Sequence, residues 1–181
     1  MLVPPTGRHD ARSPVPPGPF GAQPYSEAER AALDAKLDQY LGPEYHSLRA
    51  SGGAGSVHYL EGWQAIQLAN EVFGATGWSC QILDARFDYR EQREGRVNAG
   101  FSVHLRITLR DGTFREDFGY GQIENARSQG AAYAKIRKEA TTDAMKRALR
   151  QFGQVLGNCI YDKAYVKAIG AIRPAPYPRL P

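Results

Sequence analysis

Three cations close together on one predicted helix pose the chemical question. Within TTDAMKRALRQFGQVLGN, residues 141–158, Lys146, Arg147 and Arg150 fall inside five positions, while Met145, Leu149, Phe152, Val155 and Leu156 have the character of a buried face. At about 100° per residue, Lys135, Lys138, Lys146 and Arg150 share an arc of roughly 120°, with Arg147 flanking it. Such a cluster suits phosphate, which arginine grips through a planar fork and lysine through a compact charge. The competing reading is a solvated helix back: Glu139, Asp143 and Arg147 stand at successive fourth positions, the spacing of intrahelical salt bridges. Against it, the cations crowd into the C-terminal half, where Asp143 can neutralise only one of them. Arg49, Arg96, Arg106, Arg110 and Arg127 lie in predicted loops or on an exposed strand face. Binding to a phosphate backbone needs such a distributed track. Tyr59 either stacks a base or packs half-buried, and the residues leave both open.

Other chemistries find little support. The chain has no G-x-x-x-x-G-K-[ST] phosphate loop and no H-E-x-x-H pair. Its histidines, at 9, 46, 58 and 104, are scattered, and His104 falls on the polar face of a strand, where solvation is expected. Cys80 and Cys159 make neither a disulfide framework nor a zinc site. No catalytic residue, metal site or cofactor is expected. Gly52 to Gly55 have the G-x-x-G spacing of a KH-type backbone clamp, but Gly53 and Ala54 stand where that clamp offers basic residues, so a plain flexible connection is favoured. An RNA-binding module using the sheet or this loop is the alternative function. No apolar run approaches the roughly 20 residues of a membrane span. A net charge of +4 favours an anionic partner only weakly.

The elements that must position the cations are readable in outline. Residues 1–24 are rich in proline and glycine and read as a disordered leader. Ser26 and Glu29 form a capping box ahead of a helix with Leu33, Leu37, Tyr40 and Leu41 on one face, ended by Gly42-Pro43. WQAIQLANEVFG is a second helix, with Ile66, Ala69, Val72 and Phe73 inward. Phe101, Val103, Leu105, Ile107 and Leu109 then alternate with polar residues, a half-buried strand that Asp111-Gly112 turns into TFREDFGYG. WSCQILDARFDYRE is the preceding antiparallel strand, with a turn near Glu94-Gly95. A long helix over about 130–156 follows. The order predicts an α+β fold, an antiparallel β-meander packed against a long helix. Beyond Asp162 the signal fades, and residues 171–181 are a proline-rich tail.

Four blocks are similar to a known family. LGPEY at 41–45, YLEGWQAIQLANEVFGATGW at 59–78, EDFGYG at 116–121 and RKEATTDAMKRALRQFGQVLGNCIYDK at 137–163 resemble, in order, the N-terminal domain of the eukaryotic Rad52 single-strand annealing proteins. The resemblance covers about residues 25–170 and makes that span a single-strand annealing and oligomerisation domain. It implies protomers assembled into a closed ring of about ten or eleven subunits. It also implies single-stranded DNA in a basic groove, a further affinity for double-stranded DNA, and a role in homologous recombination and double-strand break repair in the nucleus. Carried over by motif, Arg49 lines the groove wall, and Lys146, Arg147 and Arg150 its floor. Arg96 and Arg127 take the positions of two lysines of an outer DNA site. Family members contact a recombinase and replication protein A through a second half that follows this domain, so neither contact is expected of these residues.

Overall fold

The computed structural model of the chain describes residues 20–50 and 56–172. Ser26 accepts from the amide of Glu29, whose carboxylate returns to the Ser26 amide, and this capping box opens α1, Glu27–Leu37. The helix stops at Leu37, short of the predicted Gly42. Leu37 and Leu41 are buried and Leu33 partly so, whereas Tyr40 lies outside with its ring 5.0 Å from that of Tyr165. Two short strands, β1 (Ser47–Ala50) and β2 (Ser56–Tyr59), pair antiparallel. The G-x-x-G loop between them lies outside the described residues.

α2, Gly62–Phe73, opens on a second capping box, Glu61 with Gln64. Its buried stripe is Ala65, Leu68, Ala69 and Phe73, and Ile66, predicted inward, is 40% exposed. Ile66 stands about 100° round the helix from Ala65 on the side away from Leu68, which puts it past the edge of that stripe.

The sheet is β3 (Trp78–Arg93), β4 (Arg96–Leu109) and β5 (Phe114–Ala126), a three-stranded antiparallel meander in the order β3-β4-β5. The turn between β3 and β4 is Glu94-Gly95, both with positive φ, where sequence placed it. β4 is the central strand, and its alternation is realised in full: Phe101, Val103, Leu105, Ile107 and Leu109 are buried, and the residues between them are not. β5 continues five residues past the predicted segment.

α3, Gln129–Arg150, crosses the inner face of β4 and β5. Ala132, Ile136, Ala140, Ala144 and Ala148 are all buried at a spacing of four, so the helix meets the sheet through a nearly smooth stripe. β5 answers with glycine: a Cβ on Gly119 would stand 2.1 Å from the Ala140 carbonyl oxygen, and one on Gly121 2.3 Å from that of Ile136. The glycines of EDFGYG therefore let helix backbone rest on strand backbone. The helix ends at Arg150, not near 156. Phe152 leaves the helical path to meet the Phe73 ring edge-on at 5.4 Å, and Gly153 passes against the Leu37 carbonyl, where no Cβ fits. Two 3-10 turns and α4, Lys163–Ile169, follow. α4 is capped by Asp162, which accepts from the amides of Ala164 and Tyr165.

Candidate nucleic-acid interface

The C-terminal half of α3, the β1–β2 hairpin and α4 enclose a cleft of about 1250 Å³, lined among others by Arg49, Tyr59, Lys146, Arg147 and Arg150. The five residues picked from sequence for the groove thus share one cavity, although nearly a hundred positions separate Arg49 from Lys146. Register does this: β1 and β2 fold Arg49 onto the Tyr59 side of the hairpin, against α3.

Tyr59 is the centre of the arrangement. Its ring lies 5.7 Å from the Arg49 guanidinium and 5.8 Å from the Lys146 ammonium, and its hydroxyl donates to Glu61 at 2.7 Å. That bond to a carboxylate raises the Tyr59 pKa and keeps the hydroxyl protonated. One aromatic ring therefore spaces two cations and holds both in place through cation–π contact. Lys146 also donates to the Leu60 carbonyl at 3.1 Å. Its stem is partly buried, and this desolvation lowers its pKa. Arg150 lies 4.2 Å over the exposed ring of Tyr161. Among the described residues, none of these three cations has a carboxylate within ion-pair distance.

Arg147 differs. Its Nε donates at 3.0 Å to Asp117 of β5, and this bond raises its pKa. The expected intrahelical pairing of Asp143 with Arg147 is not formed. Arg147 reaches across to the sheet instead, and Asp143 accepts from the Tyr120 amide. Glu139 and Asp143 also line the cleft, which therefore carries mixed charge with cations in excess.

Arg96 and Arg127 stand elsewhere. Val97 pairs with Ala126 across β4 and β5, so the two arginines follow as neighbours at the end of the sheet where α3 begins. Lys146 is 17 positions into the helix, roughly 25 Å further along its axis. Arg96 donates to the Asn125 carbonyl at 3.4 Å, and Arg127 is exposed.

Some participants were not legible beforehand. His104 is not simply solvated: it bonds Glu116 at 2.9 Å and stacks 4.3 Å from the Phe118 ring. Arg106 chiefly, with His104, lowers the Glu116 pKa. His46 and His58, twelve positions apart, meet through their Nδ1 atoms at 3.4 Å. Only the hairpin register brings them together. Lys163 and Lys167, from the short α4, add charge to the cleft. Among the described residues no cluster of three metal-ligating side chains occurs, and no helix is long and apolar enough to cross a membrane.

The fold is an α+β domain whose long helix carries ring-supported cations into an open cleft. Comparison with known proteins supplies the family. Residues 29–178 match the model of the Rad52/22 family of double-strand break repair proteins. The chain is 49% identical over 160 residues to the DNA repair and recombination protein rti1 of Schizosaccharomyces pombe, which covers 88% of this chain and 43% of that protein. It is 51% identical over 154 residues to mus-11 of Neurospora crassa, covering 84% and 26%. With RAD52 of Eremothecium gossypii it shares 48% over 141 residues, covering 78% and 32%. The chain belongs to the Rad52/22 family. It spans less than half the length of these curated relatives.

Proposed function

We propose that this chain acts in DNA repair and recombination by binding single-stranded DNA along the cleft and annealing complementary strands. The observation that carries the reading is the convergence of Arg49, Lys146 and Arg150 on two aromatic rings without carboxylate partners among the described residues. Cations held this way can exchange a ring contact for a phosphate at little ordering cost. Residues 25–170 form the annealing and oligomerisation domain in this reading, flanked by the leader 1–24 and the tail 171–181. The two free sheet edges, β3 and β5, suit pairing between neighbours around a closed nuclear ring. Arg96 and Arg127 form a second, outer site for duplex or incoming strand.

Annealing is downhill because base pairing supplies the free energy. The protein neutralises backbones and presents bases, work that needs cations and geometry and no hydrolysis, so no enzymatic step is invoked. The test is the rate at which complementary oligonucleotides anneal with and without the protein, with chelator added and ATP omitted. Acceleration under those conditions is expected, with affinity falling by about 0.7 log unit per log unit of salt for each phosphate contact. Strict dependence on ATP or a divalent metal overturns the reading.

The alternative, an RNA-binding module, draws on the sheet's outer face, where Phe114 and Phe118 are exposed on β5. One side of each ring is already occupied, by Arg106 at 4.6 Å and by His104. Strong preference for one RNA sequence over single-stranded DNA would favour it.

A further inference from the structure

The pair formed by His46 and His58 does nothing for the cleft in the account so far, yet His58 lines the cleft. The hydrogen bonds around the pair fix where its protons sit. Tyr165 donates its hydroxyl proton to the Leu41 carbonyl at 2.5 Å, so toward His46 Nε2, 2.7 Å away, it can only accept. His46 Nε2 therefore carries a hydrogen. In the neutral pair His46 Nδ1 is then a lone pair, and the 3.4 Å contact requires His58 Nδ1 to be the donor. This leaves His58 Nε2 without a hydrogen.

Adding one proton has a single outcome. Two Nδ1–H groups cannot face each other at that separation, so the bridge keeps one hydrogen, whichever ring holds it. The new hydrogen goes to His58 Nε2. Burial first, and then His58 itself, push the His46 pKa down, with Glu44 opposing; the charge accordingly resides on His58. A second proton would place hydrogens on both Nδ1 atoms and break the bridge.

We propose that His58 is a proton-gated cation of the cleft wall, taking up one proton when the phosphates of single-stranded DNA occupy the site. This rests on the annealing reading above. In the β1–β2 ladder His58 lies on the opposite side from Arg49 and Tyr59, the side of His46, which in turn meets Tyr165 of α4. There Lys163 and Lys167 carry like charge, and Tyr165 is held neutral by burial. Lys146 and Arg150 of α3 bound the same cavity. The hydrogen gained at His58 Nε2 turns that atom from an acceptor into a donor, which a phosphate oxygen in the cleft can accept. The side chain that changes charge between about pH 5 and 8 is histidine, so the coupling operates near neutrality. The cleft would thus grip DNA more firmly as pH falls, at a position where lysine or arginine would grip it always.

The experiment is calorimetric titration of the full chain with a thymidine oligonucleotide in buffers of different ionisation enthalpy, together with affinities from about pH 6 to about pH 8. Net proton uptake of up to one per protomer covered is expected, which bounds the gain in affinity at about tenfold per unit fall in pH. His58→Gln should remove that one proton from the uptake and flatten the profile to what the variants have in common. His58→Lys should flatten it at the high-affinity end, because the charge is then permanent. His46→Ala should leave the uptake in place, since the hydrogen is gained at His58 Nε2, away from the bridge. His104 lies on the outer sheet face with Glu116, and its contribution is common to all the variants. Binding that depends on Lys146 but keeps the pH profile of the unsubstituted chain in both His58→Gln and His58→Lys overturns this inference alone. Absence of DNA binding at any pH overturns the annealing reading with it.

Discussion

The two ends of α3 carry cations in different ways. At the C-terminal end Lys146 and Arg150 rest on tyrosine rings, Lys146 is tied to the Leu60 carbonyl, and Arg147 is fixed to Asp117. At the N-terminal end Arg127 is exposed and Arg96 holds one long bond to a carbonyl. Side chains already ordered lose little entropy on binding, whereas each free arginine loses on the order of 1 kcal/mol. The difference sets an expectation of strength: firm holding at the cleft, weaker and more exchangeable contact at the hairpin end. For annealing, one strand must stay while another samples partners, and this division fits that need.

Both ends depend on the helix lying flat on the sheet, so the largest effect should come from lifting it. Gly119→Val places a branched side chain where even a Cβ would meet Ala140 O at 2.1 Å and Ala144 N at 2.2 Å, both backbone atoms. Relief requires the helix to move away from β5 and opens the stripe of buried alanines. A cost of about 3 kcal/mol or more is expected, a fall in Tm of roughly 10 °C. Thermal unfolding measures it. DNA affinity at both ends should drop together, and a variant with unchanged Tm would mean the helix does not rest on β5 as described.

Within the cleft, two adjacent cations should separate binding from stability. Lys146→Met keeps the buried stem and removes a desolvated charge, so Tm should hold or rise while single-strand affinity falls about tenfold, the worth of one charge-assisted contact. Its lowered pKa adds a sign: the unfolded chain binds the proton more tightly, so stability in the native protein grows as pH rises from the folded value toward the ordinary lysine range. Lys146→Met should lack that rise. Arg147→Met instead takes the cation from Asp117, which is only 18% exposed and keeps the Gln151 amide and the Phe118 N–H as donors, and should cost about 1 kcal/mol, recovered in part by adding Asp117→Asn. Denaturant unfolding and anisotropy titration of the variants measure both quantities. If Lys146→Met proved the less stable variant and Arg147→Met the weaker binder, the assignment of roles would be reversed.

How much of this could be read in advance follows from the range of the signals. The alternation of 101–109, the Ser26–Glu29 box and the Glu94-Gly95 turn are local, and each was visible. The cations of α3 were visible too, because helical spacing alone gathers them. Asp117 as the partner of Arg147 was not: Asp143 is the nearer carboxylate along the chain, and only the packing of α3 on β5 favours the other. β1, β2 and α4, of four, four and seven residues, are too short to show a period. The His46–His58 contact went unseen for that reason. Ile66 was misplaced because hydrophobicity marks a candidate for burial without saying which of two neighbouring apolar residues the core accepts.

The smallest effect expected, and the sharpest test of the comparison, is at the hairpin end. Arg127→Ala removes an exposed charge and Arg96→Ala a half-buried one with a single weak bond, so stability should stay within about 0.5 kcal/mol. Single-strand affinity measured on a short oligonucleotide should fall less than about threefold, since a flexible surface arginine adds little to a site roughly 25 Å away along the helix. The annealing rate should respond more than affinity, because trial pairing uses transient contacts that speed encounter without adding much hold. The double variant is the informative one. Both residues adjoin the Val97–Ala126 pair at the end of the sheet, so each can partly stand in for the other, and their joint removal should slow annealing by more than the product of the single effects. Loss of single-strand affinity equal to that of Lys146→Met would show that one continuous site runs the length of α3, and the contrast between its ends would then be one of geometry alone.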